Sequence, residues 1–307
     1  MRKNKYILLS ICLISMLGLA SSCGNDDRME PLPDWWFLPD TSSVIEDNNP
    51  KPAECGNNVV AHRGGSAEVG SASNPDNSLA SLRYAISLGI YASECDIYWT
   101  KDDNVVVAHA DENCQINGLY PWEHTLKEIQ DVAKLSNGET IPSLRDMLDV
   151  LMKESHCTRL WLDIKNITYP STLSQYPINA VRSACEIIKE KKAVNFVEFI
   201  CTSNPTVMSS ANLYAQMAGI SIGWMANKPA STYTGNGYSW ANLNYSYMAH
   251  DGGARTIEEF EKAGIPVSVF VIDDDILMDY YAGLAGRMKA IVTNYPKKLL
   301  EKIEVLK

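Results

Sequence analysis

Five short stretches of this 307-residue chain carry side chains able to do acid–base and metal chemistry: His62-Arg63-Gly64-Gly65, Glu94-Cys95-Asp96, His109, Asp163-Ile164-Lys165 and Thr293-Asn294-Tyr295-Pro296. Side chains alternate faces along a strand, so Glu94 and Asp96 share one face while Cys95 points away, and Asp163 shares a face with Lys165. Two carboxylates on an inward face are costly unless they bind a cation. The oxygen donors of Glu94, Asp96 and Asp163 suit a hard divalent cation, Mg²⁺ or Ca²⁺, better than zinc. His62 and His109 titrate near neutrality, as an acid–base pair must. Arg63 and Lys165 supply positive charge for a phosphodiester anion, and a cation would neutralise charge developing on its non-bridging oxygens. Singly, each residue has an ordinary explanation: a hydrogen-bonded structural histidine, a solvated edge strand, a loop contact. Their joint placement is what points to a site.

The elements that must position them alternate. Apolar strand-like runs fall at Val59 to Ala61, Ala92 to Tyr98, Val105 to Ala108, Leu160 to Ile164, Val197 to Cys201, Ile220 to Trp224, about 244–249, Val267 to Ile272 and 289–293. Helical patterns fall between them at 79–88, 125–133, 143–154, 176–192, 206–218, 255–263 and 274–285. The first helix follows Pro75-Asp76-Asn77-Ser78, whose side chains can cap it. Repeated β-then-α units predict an α/β fold, a TIM-like (β/α)8 barrel, in which function lies at the C-terminal ends of the strands. Each chemically distinctive stretch falls at such an end.

Only Asp102-Asp103-Asn104 separates the runs ending at Trp99 and starting at Val105, too few residues for a parallel crossover, so this stretch predicts a hairpin. A two-residue turn at 102–103 sets His109 opposite Asp96. A turn at 103–104 sets it opposite Tyr98 on the same face, and a three-residue loop turns it away.

The formal net charge of −10 argues against a non-specific grip on nucleic acid or an anionic membrane surface. The expected partner is a small-molecule phosphodiester. Nothing in the sequence fixes the oligomeric state. Residues 1–22 have the form of a lipoprotein signal peptide: Arg2, Lys3 and Lys5, an apolar run from Ile7 to Leu19, then Ala20-Ser21-Ser22 before Cys23. The expectation is lipidation at Cys23 and export to the outer membrane of a bacterium, on its periplasmic or cell-surface face, with the lipid as the only membrane contact. Residues 23–56, rich in Pro, Asp, Asn and Ser, predict a flexible tether. Six further cysteines (Cys55, Cys95, Cys114, Cys157, Cys185 and Cys201) face an oxidising compartment and read as buried thiols or one or two bridges. Tyr233, Tyr238 and Trp240 fall in a stretch, 226–242, that reads as a loop and hints at a polar, sugar-like ligand.

In order and spacing, His62-Arg63-Gly64, Asn74-Pro75-Asp76-Asn77-Ser78-Leu79, Glu94-x-Asp96 with Thr100-Lys101-Asp102, and Val105-Val106-Val107-Ala108-His109 resemble the glycerophosphodiester phosphodiesterase family of phosphodiesterase TIM barrels. The stretch from Asn137 to Leu144 resembles the end of a small insertion that family carries after the second-strand hairpin, here about 111–157. Leu162-Asp163-Ile164-Lys165 and Ile291-Val292-Thr293-Asn294-Tyr295-Pro296 match its later motifs. The resemblance covers about residues 57–307. It implies metal-dependent hydrolysis of glycerophosphodiesters to glycerol 3-phosphate and an alcohol, with His62 and His109 as general acid and base and Glu94 and Asp96 among the metal ligands. Asp76, Asn77 and Asn294 fall beside the site. Asp76 and Asp163 stand where that family usually has Glu, Asn294 where it has Asp, and Phe270 where Trp is common; Ala110 interrupts its usual His-Asp pair. Two other readings fit the same residues: cleavage of a lipid or glycan phosphodiester to a cyclic phosphate, and a non-catalytic phosphodiester-binding lipoprotein.

Overall fold

The computed structural model describes residues 49–167, 174–202 and 204–306. The signal peptide, Cys23 and the tether up to residue 48 lie outside the described residues. Among the described residues nine strands form one sheet: β1 (Val59–Ala61), β2 (Ala92–Trp99), β3 (Val105–Val107), β4 (Arg159–Ile164), β5 (Val197–Cys201), β6 (Ser221–Trp224), β7 (Trp240–Asn244), β8 (Val267–Phe270) and β9 (Ala290–Thr293). β1 pairs in parallel with both β2 and β9, and this closes eight parallel strands into a (β/α)8 barrel. β3 is appended antiparallel to the outer part of β2.

The helices between strands begin where capping side chains meet an apolar stripe. Ser78 accepts from the Ser81 backbone N–H and opens the helix Leu79–Ser87, and Ser143 does the same through Asp146 for Leu144–Glu154. The apolar stripe of Leu144–Glu154 (Leu144, Met147, Leu148 and Leu151) joins the core between barrel wall and helices. That helix is therefore the crossover from the hairpin to β4. The insertion, read from sequence as about 111–157, gives way to barrel structure at Ser143.

Inside the barrel, Val60, Ala92, Trp161, Ile200, Trp240, Ala290 and Val292 pack as a separate apolar layer. Gly223 is required here, because a Cβ at that position would run into the indole of Trp240. Below this layer, at the N-terminal ends of the strands, Glu198 accepts from Trp161 Nε1 at 2.6 Å, Lys289 Nζ at 2.9 Å and Tyr91 Oη at 3.1 Å. The Lys289 ammonium also lies 4.3 Å from the Trp240 ring centroid. These contacts cross the N-terminal end of the barrel, opposite the strand ends that carry the candidate site residues.

Three sequence expectations are corrected. The strand expected at about 244–249 is Trp240–Asn244, and Tyr245–Tyr247 is a 3-10 turn. The stretch read as a ligand loop is largely core: Ala230–Asn236 is a helix, Tyr233 is 0% exposed and packs against Trp224 and Phe260, and Trp240 lines the barrel. The end of the expected tether is fastened. Asn195 Nδ2 donates to the carbonyls of Asn49 and Pro50, Ala53 N–H donates to the His156 carbonyl, and Cys55 is disulfide-bonded to Cys157. Cys95, Cys114, Cys185 and Cys201 are buried thiols.

Candidate active site

β1 ends in a tight turn at His62–Gly64. Arg63 takes φ 50° and Gly64 φ 86°, and at Gly64 a side chain would strike Ser81. The turn aims the Arg63 backbone N–H at Glu94 Oε2, 2.8 Å away. It leaves the His62 ring at the barrel mouth, with Nε2 4.0 Å from the same carboxylate oxygen.

Glu94, Asp96 and Asp163 line the mouth from the adjacent strands β2 and β4, whose register sets Asp96 beside Asp163. All three are buried, and one oxygen from each lies within 4.8 Å of the others. Opposed ligand oxygens lie about 4.2 Å apart across Mg²⁺ and about 4.8 Å apart across Ca²⁺, so the spread accommodates either ion. Among the described residues Glu94 Oε1 and Asp163 Oδ1 are buried with no hydrogen-bond partner, as oxygens shaped for a cation would be. Oxygen donors alone, with no thiol and no imidazole among the three, are the chemistry of a hard divalent ion. The residues fit the group.

The charges around the basin are unequal. Three carboxylates face two cationic side chains, Lys165 and Arg63. Lys165 Nζ lies 2.6 Å from Asp96 Oδ1 and also pairs with Asp163; Arg63 Nε lies 3.4 Å from Asp96 Oδ2. Burial raises the pKa of Glu94, and Asp96 raises it further. Burial also raises Asp163, against the pull of Lys165. Burial pushes Asp96 the same way, but Lys165, Asn77 and Arg63 outweigh it and hold Asp96 below its ordinary value. For Lys165, burial alone would depress the ammonium, and Asp163, Asp96 and Glu94 overcome it, so its pKa is raised. A divalent cation would relieve Glu94 and Asp163 and turn the basin from net negative to net positive, ready for a phosphodiester monoanion.

Three neighbours expected from sequence hold this arrangement. Asn77, at φ 59° and buried, donates from Nδ2 to Asp96 Oδ2 at 2.9 Å and accepts from the Asp96 backbone N–H at 2.9 Å. Asp76 lies 3.4 Å from Arg63 Nη1 and accepts from Ser66 Oγ. Asn294 follows β9, beside β1, and its Oδ1 is 2.8 Å from His62 Nδ1.

His109 arrives by an unexpected route. The hairpin register pairs Ile97 with Val107 and Trp99 with Val105, and Thr100 N–H donates to the Asn104 carbonyl. This is the three-residue loop, the register expected to turn His109 away. The strand ends at Val107, however; Ala108 N–H still donates to the Asp96 carbonyl at 3.1 Å, and the chain runs on through His109 without regular structure. The ring lies at the exposed rim, within electrostatic reach of Asp96, Arg63, Lys165 and Asp163. Desolvation lowers the pKa of both histidines; at His62 the hydrogen bond to Asn294 pushes back, and at His109 the Asp96 carboxylate does.

One site residue was not read from the sequence. Asp273, just beyond β8, accepts from Asn294 Nδ2 at 2.6 Å, from Asn294 N–H at 2.9 Å and from Thr293 Oγ1 at 3.1 Å. Its place as the first charged residue after a barrel strand is the signal that could have marked it.

Known proteins share the fold and part of the sequence. A curated glycerophosphodiester phosphodiesterase from Caldanaerobacter subterraneus subsp. tengcongensis is 28% identical over 166 residues, 51% of this chain and 59% of the relative. The chain thus spans less than two thirds of that protein. Among solved structures, a glycerophosphodiester phosphodiesterase from Parabacteroides distasonis superposes with a TM-score of 0.67 at 22% identity, over 83% of this chain and 99% of that one. An Oleispira antarctica phosphodiesterase, solved with the product sn-glycerol-3-phosphate, gives a TM-score of 0.61 at 22% identity, over 80% of this chain and 96% of that one. These structures share the fold. The Glycerophosphoryl diester phosphodiesterase family matches residues 62–298, from the first candidate histidine to just past Asn294, and the chain belongs to that family.

Proposed function

We propose that this chain hydrolyses glycerophosphodiesters to glycerol 3-phosphate and an alcohol, with Mg²⁺ or Ca²⁺ held by Glu94, Asp96 and Asp163. The observation that carries the reading is the basin itself: three buried carboxylates, of which Glu94 and Asp163 each keep an oxygen without a hydrogen-bond partner among the described residues, with two cationic side chains and two histidines at the open end of a barrel of this family. When bound, the cation supplies Lewis-acid stabilisation of charge on the non-bridging phosphate oxygens. Arg63 and Lys165 orient the phosphodiester and offset the same charge. His62, whose pKa burial lowers, takes the proton from the attacking hydroxyl at Nε2. His109, at the open rim, delivers a proton to the departing alkoxide. The Oleispira antarctica protein was solved with sn-glycerol-3-phosphate, the product this reading assigns.

The attacking hydroxyl is water or a hydroxyl of the substrate's own glycerol. Phosphorus NMR of the reaction with glycerophosphocholine, glycerophosphoethanolamine and glycerophosphoinositol separates the cases. A phosphomonoester is the expected product. A cyclic phosphate that persists would move the assignment to cyclising cleavage, and binding without any product would leave only capture.

The location is part of the proposal. Residues 1–22 and Cys23 fit an exported lipoprotein held at the outer membrane by its lipid. Metabolic labelling with a fatty acid should mark the native chain and not Cys23→Ala. Equal labelling of both would refute it.

A further inference from the structure

We propose that Asp273 is a positioning residue that fixes the proton of His62 on Nδ1 by dictating which way the Asn294 amide faces. The inference rests on the reading of His62 as an acid–base group.

The hydrogen bonds have a defined polarity. A carboxylate only accepts, and Asp273 receives three donors: the Thr293 hydroxyl and the Asn294 backbone N–H on Oδ1, and the Asn294 side-chain NH₂ on Oδ2 at 2.6 Å. The NH₂ end of Asn294 must therefore face Asp273. Its oxygen must face His62 Nδ1, 2.8 Å away. An amide oxygen only accepts, so Nδ1 carries the hydrogen and Nε2 presents its lone pair toward the carboxylate basin, 4.0 Å from Glu94. The same bond persists when Nε2 gains a proton, so the ring stays aimed through both halves of an acid–base cycle.

The relay is built into the barrel wall. It runs across three neighbouring strand ends, β8 to β9 to β1. The register Ala61 to Thr293 brings His62 beside Asn294, and the bond from Ile272 N–H to the Val292 carbonyl brings Asp273 beside it from the other side. No loop motion is needed to form it.

This polarity makes a sharp set of variants. In Asp273→Asn, the new amide keeps its oxygen toward the Asn294 backbone N–H and turns its NH₂ toward the NH₂ of Asn294. Two donors then face each other. Asn294 turns over, offers its NH₂ to His62 Nδ1, and drives the proton to Nε2. In Asn294→Asp, two carboxylates meet at hydrogen-bond distance. In the exchanged pair, Asp273→Asn with Asn294→Asp, the NH₂ of residue 273 donates to the carboxylate of residue 294, which again accepts from His62 Nδ1. Every donor and acceptor is matched as in the native chain.

The test uses the full chain with divalent cation present. Turnover of a glycerophosphodiester is measured for all four proteins. The His62 tautomer is read by ¹⁵N and ¹³C NMR of the imidazole at a pH where the ring is neutral, its signals assigned by their loss in His62→Gln. Each single variant is expected to lose about 10²- to 10⁴-fold in kcat, the contribution of a correctly poised acid–base group. The exchanged pair is expected to recover most of that loss. NMR should show the proton on Nδ1 in the native and exchanged proteins and on Nε2 in Asp273→Asn. An unchanged tautomer in Asp273→Asn, or an exchanged pair no better than the singles, would overturn the assignment. If Asp273→Asn does not fold, the exchanged pair decides. If the native protein itself turns nothing over, the proposed function fails, and the tautomer measurement still decides the role of Asp273.

Discussion

Replacing Asp163 by Asn tests the cation site without reference to catalysis. The native basin buries three carboxylates against two cationic groups, and burial raises the pKa of Glu94 and Asp163. A cation that binds only the folded chain stabilises it by about 2.7 kcal/mol when present at 100 times its dissociation constant. For a domain of this size that is a rise of roughly 5–11 °C in Tm. Asp163→Asn removes one of the three anionic ligands and keeps the side-chain volume. Loss of even an outer-shell partner typically costs 10- to 100-fold in metal affinity, so a lost ligand should cost about 100-fold or more. At the same metal concentration the variant then sits near its own dissociation constant and gains only about 0.4 kcal/mol, or ~1 °C. Without metal, the variant should melt within a few degrees of the native protein, because a buried carboxyl with a raised pKa has been replaced by a neutral group while Lys165 keeps Asp96. The assay is thermal unfolding of both proteins in chelator and in saturating Mg²⁺ or Ca²⁺. Equal metal-induced shifts in the two proteins would refute the assignment of Asp163.

Asn77→Ala removes two hydrogen bonds to Asp96 and places a residue with an unfavourable Cβ at φ 59°. It should cost about 3–4 kcal/mol and Asn77→Gly about 1 kcal/mol less, read from urea midpoints; an equal cost would mean that the backbone is unstrained there. Removing the Cys55–Cys157 bridge, which closes a separation of 102 residues, should cost about 2–5 kcal/mol or roughly 4–20 °C, with turnover at 25 °C unchanged because the bridge lies away from the barrel mouth. A large fall in turnover by the folded variant would contradict that placement. The lowered pKa values of His62 and His109 mean that a proton binds them less readily in the folded chain than the ordinary value of 6.5 implies. Their neutral forms therefore contribute stability that is full above about 6.5 and lost as pH falls through the folded values. In kcat/KM the acidic limb of the profile should lie below 6.5, and a limb at or above it would contradict the lowering of the base's pKa.

The barrel was legible in the sequence because its strands are short apolar runs, and several of the helices between them open on a capping Ser, Thr, Asn or Asp. The site was legible for the same reason: strand alternation places Glu94 with Asp96, and Asp163 with Lys165, before any contact is known. What escaped depends on distance in the chain or on weak local signals. The helix Ala230–Asn236 is built of Ser, Thr, Tyr and Gly, with poor intrinsic helix propensity, and its formation depends on burying Ala230 and Tyr233. Reading it as a loop pushed β7 four residues too far along. The hairpin loop closes with Asp103 at φ 58°, a conformation that Asp tolerates but does not announce. The insertion was drawn too long because Leu144–Glu154 follows it without a strand between. Asp273 means little until β8, β9 and β1 stand side by side. The partner of Cys55 lies 102 residues away, beyond any local pattern.

The most direct test of the central claim is release of glycerol 3-phosphate from glycerophosphodiesters by the purified chain, stripped with chelator and then restored with Mg²⁺ or Ca²⁺, beside His62→Ala. The expected result is release that vanishes in chelator, returns with the cation, and falls by about 10²- to 10⁴-fold in a His62→Ala protein that still binds metal and melts normally. Release that ignores the chelator, or that survives intact in His62→Ala, would contradict the account.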